Sequence, residues 1–508
     1  MRSLIADLIA LRLADAPDGP MNSTLYRIVR EAIFEGRLAA QTRLPASRDL
    51  ADELKVARNT IVHAYRQLQA EGYVDVRPGN GTFVADVLPD RTMSTRTSKG
   101  KQSPAHVPQA SASVPPVLAA GLSERGRRLI REAAASPHQW GAFMPGVPDV
   151  TRLPRERLAK LFRDAWRNPS PALLTYGHSG GLPALKVALS DYLSVSRSLN
   201  CTPEQIIITE GSHQAIDLVT RMLTDIGDTA WVEDPGYWGA RVTMHANGIS
   251  VRGMPVDADG MCLPQEVPTV TPKFIFLTPS HQYPLGSVMS MARRLQFLAL
   301  ARQWGAWIVE DDYDSEMRFA GHPIAAMQGL ENDAPVIYLG TFSKTLYPGL
   351  RLGYLVLPAA IAPMFQAAQA ELYREGHFMT QTAISAFIEQ GDYARHIRRM
   401  RLLYGQRRAM LANLIERRLG AGWLHENGSD AGLHLVIDLP PGMDDTVVEQ
   451  DAYDHGVLTR ALSRYYLDRA HARPGLVLGY ACVPESQIAE RFEVIVSALA
   501  RQVKKRRA

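Results

Sequence analysis

Lys344 sits in the stretch "GTFSKTLYPGLRLGY", residues 340–354, flanked by Thr341 and Ser343 and followed seven positions later by Arg351. A lysine amine that is kept dry and neutral condenses with a carbonyl to form a Schiff base. Two hydroxyls and a guanidinium beside it suit a phosphate on the same ligand. Upstream, "IVEDDYDSE" places Glu310, Asp311, Asp312 and Tyr313 at the end of an apolar run. Carboxylates in that position hold a metal, cap a loop or pair with a cationic ring. A third stretch, "TEGSHQAIDL", passes from a strand pattern to a helix pattern, and Gly211, Ser212 and His213 would offer free backbone N–H groups to an anion. Each stretch alone has an ordinary reading: an acidic turn, a solvated lysine, a tight strand-to-helix corner. Together, in this order, they point to covalent amine chemistry beside a bound phosphate.

Such residues need a scaffold that gathers distant turns at one edge. "QIIIT" precedes "SHQAIDLVTRML", and "WIVEDDY" follows "MARRLQFLALARQ". That alternation of short apolar runs with helical stretches predicts an α/β fold with a mostly parallel sheet, whose ligands lie outside the carboxyl ends of the strands.

At 508 residues the chain exceeds one compact core, and its 46% hydrophobic and 21% charged content is that of a soluble globular protein. Residues 89–125 are crowded with Pro, Ser, Thr, Ala, Lys and Arg and hold few large apolar side chains, the composition of a flexible linker. The expected organisation is an N-terminal extension over residues 1–20, a small unit over 21–88, the linker, and a large unit over 126–508. Cys201, Cys262 and Cys482 lie far apart without metal-ligand spacing, which predicts a reduced, cytoplasmic protein with no metal centre. Charges at Arg2, Asp7, Arg12 and Asp15 break the apolar N-terminus and argue against a signal peptide, and no apolar run is long enough for a membrane helix.

The small unit has its own pattern. Ser23 and Ser47 are placed to cap two successive helices, and "RNTIVHAYRQLQAEG" follows with Ile61, Tyr65 and Leu68 on one face and Arg58, Asn59, His63 and Arg66 on the other. Two short helices joined by a tight turn, the second with a polar N-terminal face, form the layout that enters a DNA major groove. "GYVDVRPGNGTFVAD" then reads as a β-hairpin around Asn80-Gly81, a wing with Arg77 at its base. Residues 21–90 carry nine Lys and Arg against nine Asp and Glu, so DNA binding has to come from one-sided placement of Arg48, Arg58, Arg66 and Arg77.

"LPASRDLADELKVARNTIVHAYRQLQAEGYVDVRPGNGTFVA" resembles the GntR-type winged helix-turn-helix over its whole length. The resemblance implies that Ser47, Arg48, Arg58, Asn59, Thr60 and the wing residues Arg77, Gly79, Asn80, Gly81 and Thr82 approach double-stranded DNA. From Phe143 onward the chain resembles the fold type I aminotransferases, through "TYGHSGGLPALKVALSDYL", "EDPGYWG" and the three stretches above. That resemblance implies pyridoxal 5'-phosphate as cofactor. Lys344 would form the Schiff base, Asp311 would face the pyridinium nitrogen and Tyr313 the ring hydroxyl. Tyr237 would stack on the ring, and Ser212, His213, Thr341, Ser343 and Arg351 would hold the phosphate. Tyr176 would reach the phosphate of a partner subunit, in a head-to-tail homodimer.

Two departures stand out. Where aminotransferases carry Asn-Pro-x-Gly, "HQYPLG" has Tyr283, leaving His281 or Gln282 to support the ring hydroxyl. Where they carry a late-strand arginine for the substrate carboxylate, "GLVLGYACV" has Val477 and Leu478, and Arg460 and Arg473 are the nearest candidates for binding an effector. A missing bidentate clamp removes much of the orientation that transamination needs. A GntR-type head joined by a linker to such a domain resembles the MocR/GabR-like bacterial transcription regulators. The resemblance implies a DNA-binding regulator, not an enzyme, that senses pyridoxal phosphate itself or an amine or amino acid through Lys344. The rival expectations are a working aminotransferase with an accessory DNA-binding head, and a scaffold that has lost its cofactor.

Overall fold

A computed structural model of the chain describes residues 4–14, 20–77, 79–85, 121–131, 138–320, 324–331, 333–426 and 431–507. Most of the expected linker, residues 89–120, lies outside them. The chain divides into two compact units, residues 1–113 and 114–508.

In the small unit, helices Met21–Phe34, Ser47–Leu54 and Arg58–Ala70 are followed by strands β1 (Val74–Arg77) and β2 (Gly81–Val84). The strands pair antiparallel, with Val74 opposite Val84 and Arg77 opposite Gly81. Leu25, Ile28, Leu50, Ile61 and Leu68 meet in one core, where burial of each large aliphatic side chain stabilises by about 1.5–3 kcal/mol. Two details differ from the sequence expectation. Ser23 lies inside the first helix, because Pro20 already holds the extended entry conformation and its carbonyl accepts from the N–H groups of Ser23 and Thr24. Ser47 is the first residue of its helix and caps nothing; extended Ala46 precedes it. Ala64 joins Ile61 and Leu68 on the fully buried face, and Tyr65 packs against the same core half-buried, its hydroxyl donating to Pro45 O at 3.1 Å. The N-terminal extension forms a helix, Leu4–Ala14, and its Ala6 and Ile9 enter the same core.

The main sheet of the large unit contains β3 (Ile206–Thr209), β4 (Thr229–Asp234), β5 (Ser250–Asp257), β6 (Gly260–Met261), β7 (Phe274–Leu277), β8 (Trp307–Asp312), β9 (Val336–Thr341) and β10 (Gly353–Val356). Their order is β3-β10-β9-β8-β7-β4-β5-β6. Strands β9, β8, β7, β4 and β5 are parallel. β10 runs antiparallel to both β9 and β3, so β3 points the same way as the parallel set. Both faces are covered, which suits continuous apolar runs such as "IIIT" and "VIYLGT". Ile206, Ile208 and Tyr338 pack into the core on one face, and Ile207, Ile337 and Leu339 into that on the other. The carboxyl ends of β3, β4, β7, β8 and β9 therefore share one edge. A second sheet, β11 (His434–Asp438), β12 (Arg460–Ala461) and β13 (Gly475–Gly479), has β13 in the middle and is antiparallel.

A buried ion pair anchors the segment that leads into the site. Arg407 Nη1 lies 2.8 Å from Asp149 Oδ2, with the two side chains 1% and 3% exposed. Removing one partner of such a pair leaves an uncompensated buried charge. Arg407→Ala is expected to lower unfolding stability in urea by about 3–5 kcal/mol. Arg418→Ala, which breaks the exposed pair with Glu493, is expected to leave the same transition unmoved within error.

Candidate functional site

At the shared strand edge lies a cavity of about 280 Å³ lined by Ser212, His213, Tyr237, Asp311, Lys344 and Arg351. Tyr313, Thr341 and Ser343 line it too. These nine residues, predicted from stretches up to 139 positions apart in sequence (351 − 212), are brought together because each occupies the turn at a strand end. Ser212 and His213 open the helix after β3, Tyr237 follows β4, Asp311 and Tyr313 end β8, and Thr341 to Lys344 end β9. Arg351 immediately precedes β10, in a left-handed backbone conformation, φ 51°.

Lys344 Nζ donates to Gly146 O at 2.8 Å. Gly146 has φ +70°, and a Cβ there would stand 2.9 Å from that nitrogen, so glycine leaves the amine its room. Burial holds the Lys344 amine below the usual lysine pKa, against the opposite pull of Asp314 and Asp311. Asp311 is 5% exposed, and its Oδ1 has no hydrogen-bond partner. Burial pushes its carboxyl up to about 8, the charge of Asp312 adding to the effect and Lys344 opposing it. His213 Nε2 is 2.8 Å from the Tyr237 hydroxyl. Burial lowers the His213 pKa, and the nearby cations Arg351 and Lys344 lower it further. An amine held below its ordinary pKa thus shares a pocket with a raised carboxyl, one oxygen of which has no hydrogen-bond partner.

The rest of the wall is aromatic and comes partly from the second sheet. The hydroxyls of Tyr283 and Tyr465 are 3.1 Å apart, and both residues line the cavity with Trp238 and Arg460. Arg460 stands directly across from Val477 in the β12–β13 register. A cation therefore stands at the cavity one strand over from the late strand, although Arg460 also lies 3.4 Å from Glu449. Arg473 does not join it: its side chain is 63% exposed, 3.7 Å from Asp438, and it lines a separate cleft with Asp234 and Tyr466. Gln282 is likewise not at the cavity. It is fully buried; its amide nitrogen donates to Glu233, Pro235 O and Tyr283 O, and its oxygen accepts from Leu285 N. Every one of those bonds holds the turn after β7, which leaves the amide nothing to offer a ligand. Tyr176 is 68% exposed and outside the cavity lining. Gly146, Trp238 and Tyr465 escaped the sequence reading; only the Trp238 position, beside Tyr237 in "EDPGYWG", carried a local signal.

On the small unit, Arg48, Arg58 and Asn59 are exposed and Thr60 half-buried at the start of the third helix. Ser47, Gly81 and Thr82 line a cleft between that helix and the wing, together with Arg66 and with Arg43, which the sequence reading had not singled out. Arg77 is exposed, lying 4.6 Å over the Phe83 ring and donating to Gln41. Gly79 and Asn80 form the exposed wing tip, and Gly79 takes φ +81°.

A family model of bacterial regulatory proteins of the gntR family matches residues 22–84, and one of class I and II aminotransferases matches residues 149–495. The chain is 39% identical to the "Probable rhizopine catabolism regulatory protein MocR" of Rhizobium meliloti, over 95% of this chain and 94% of that protein. It is 31% identical to the HTH-type pyridoxine biosynthesis transcriptional regulator PdxR of Corynebacterium glutamicum, over 96% and 97% of the two chains. Among solved structures, the multiple substrate aminotransferase of Thermococcus profundus matches with a TM-score of 0.66 at 24% identity, covering 76% of this chain and 99% of that one.

The raised Asp311 carboxyl has a consequence for stability. The folded protein keeps a proton at Asp311 that the unfolded chain releases near 3.8, so this group makes stability fall as pH rises from there to about 8. Without cofactor, Asp311→Asn is expected to flatten the decline, measured as urea midpoints across that range. A slope unchanged by the substitution would contradict the assignment.

Proposed function

Because the chain belongs to the MocR-type family of transcription regulators, a gntR-family head on a class I and II aminotransferase body, we propose that it controls transcription through pyridoxal 5'-phosphate held at Lys344. The observation that carries this reading is the pairing, in one cavity, of an amine held below its ordinary pKa with a buried carboxyl oxygen that has no partner. A pyridinium N–H is the kind of donor that oxygen lacks, so the residues fit the cofactor. Bound there, pyridoxal phosphate supplies an aldehyde for an amine and a ring that draws electron density. Asp311 keeps a proton on the ring nitrogen. Ser212, His213, Thr341, Ser343 and Arg351 hold the phosphate, through hydroxyls, backbone N–H groups and a guanidinium. Tyr237 covers the ring, and Tyr313 serves its hydroxyl.

The effector in this reading is pyridoxal phosphate itself or an amine or amino acid that competes for its aldehyde. The relative named for pyridoxine biosynthesis supports the first. Arg460 among Tyr237, Trp238, Tyr283 and Tyr465 supports the second, since it offers one cation to a carboxylate inside an aromatic wall. Either ligand moves DNA occupancy only through different affinities for two arrangements of the protein. A homodimer, with Tyr176 of one copy completing the phosphate site of the other, accounts for a Tyr176 side chain left exposed in the single chain. Transamination is the second reading, supported by the aminotransferase fold and by Arg460 at the cavity. Steady turnover of an amino donor and a keto acid at enzyme-like rates would establish it over the sensor.

Three outcomes test the regulator. Arg58→Ala is expected to weaken operator binding by about 1–3 kcal/mol in a gel-shift titration while leaving the cofactor's visible absorption intact. Lys344→Ala is expected to abolish covalent capture, seen as loss of the visible band, and to remove the response to effector. Binding to the operator should fall linearly with salt on a log–log plot, and salt-independent binding would rule out an arginine-driven interface.

A further inference from the structure

Tyr313 lines the Lys344 cavity, yet its hydroxyl also lies 2.8 Å from Nδ1 of His281, a residue that does not line the cavity. The same Nδ1 lies 3.0 and 3.2 Å from the two carboxylate oxygens of Asp314. His281 is 4% exposed and Asp314 1%. Space has been left for this imidazole. Gly432 has φ +84°, and a Cβ there would sit 2.1 Å from His281 Cε1.

One nitrogen facing two partners settles which way the hydrogens point. A carboxylate only accepts, so Nδ1 of His281 has to carry the hydrogen that Asp314 receives. An Nδ1 that carries a hydrogen has no lone pair for Tyr313, so the phenol oxygen accepts a share of that N–H. The phenol's own hydrogen is then free for the cavity that Tyr313 lines. The geometry points to His281 and Asp314 as positioning residues that keep the Tyr313 hydroxyl a donor into the Lys344 cavity. This rests on the reading that pyridoxal phosphate binds there. A donor aimed at the ring hydroxyl oxygen favours its anionic form, and so lowers the pH at which the cofactor–lysine linkage loses its proton.

Other groups face this pair from neighbouring elements. His434 of β11 lies near His281 with ring centroids 5.5 Å apart and planes tilted by 48°, and it hydrogen-bonds Pro284 O through Nε2. Burial, with His281 adding, pushes the His434 pKa down to about 3, which leaves it neutral. His425 and Arg408 share with His281 a recess of about 10 Å³, on the scale of one water. Asp311, Glu233, Tyr283 and Lys344 act on the Tyr313 side. The hydrogen-bond effect therefore has to be separated from through-space charge effects.

A double-mutant cycle on the full-length, pyridoxal-phosphate-loaded protein does so, with the midpoint of the visible-band titration between about pH 5 and 10 as the readout. In Asp314→Asn the carboxylate that fixes the hydrogen on Nδ1 is lost, so that hydrogen is free to move to Nε2 and the bare Nδ1 to accept from the Tyr313 hydroxyl, which then turns from the cavity. Loss of the Asp314 charge acts alike with and without the phenol oxygen, so it cancels between backgrounds. The Asp314→Asn shift is expected to be more positive with Tyr313 present than in Tyr313→Phe, by about 0.5 unit or more, a threefold change in proton affinity. Equal shifts in the two backgrounds would overturn the inference. His281→Asn, which keeps an N–H near the Nδ1 position, should titrate as wild type, and His281→Leu, which leaves the Tyr313 hydroxyl unoriented, should shift toward Tyr313→Phe. That pair carries the same test if Asp314→Asn does not load, and identical midpoints for the two would equally overturn it. Absence of a visible band in the wild-type protein would instead remove the cofactor reading beneath it.

Discussion

The large unit depends on burying one amine and one carboxyl in the same pocket without letting them neutralise each other. Lys344 is drawn off by the carbonyl of Gly146, while Asp311 keeps an oxygen without a partner. Burial disfavours the charged form of both, raising the acid and lowering the base. Such an arrangement persists only where the backbone determines it from several sides. Here β8 carries Asp311 and the turn after the adjacent parallel β9 carries Lys344, and the segment around Gly146 is held by the Arg407–Asp149 pair behind it. Removing any of the three would let the pocket relax toward an ordinary ion pair or toward water.

How much of this was legible follows from how local each determinant is. Asp311, Tyr313, Thr341, Ser343 and Lys344 could be read because strand, turn and functional residue are contiguous, and a parallel sheet then brings such turns to one edge. Arg460 and Tyr465 were less visible because the register of a separate antiparallel sheet decides where they point. Gln282 misled for a related reason. Its place beside Tyr283 suggested a ligand contact, but the buried carboxylate of Glu233, three elements away, takes its amide. The helix caps failed locally, since Pro20 and Ala46 supply the extended entry conformation without any side-chain bond. The Leu4–Ala14 helix buries Ala6 and Ile9 fully and packs Ile5, Leu8 and Leu13 against the same core, an apolar face that the charges Asp7 and Arg12 interrupt in the sequence.

The small unit answers the balance of nine against nine charges by placement. Acidic residues at the end of the helix Met21–Phe34 are engaged: Arg12 of the N-terminal helix pairs with Glu31 and Glu35, and Arg37 also meets Glu35. Arg48, Arg58 and Arg66 are left exposed on the other two helices. A neutral unit can thus still present a positive face, and its field is short-ranged because the compensating charges lie within about one Debye length.

Regulation and transamination ask different things of the same pocket. Catalysis needs a substrate carboxylate held in one orientation through every step. Arg460 faces the cavity from β12 and shares its guanidinium with Glu449, a weaker hold than a dedicated bidentate clamp. A sensor needs only that occupancy change something the protein can register. Filling the pocket does so in charge alone. Burial keeps Asp311 protonated up to about 8, whereas a cationic ring nitrogen bound beside it would hold it in the ionised form. The buried neighbours of that carboxyl, Asp312 and Glu233, feel the new charge directly, and Asp312 is bonded to Arg197 and Tyr338 under the sheet. On that reading a bound cationic ring would change the charge felt by the core, whether or not any bond in the ligand is broken.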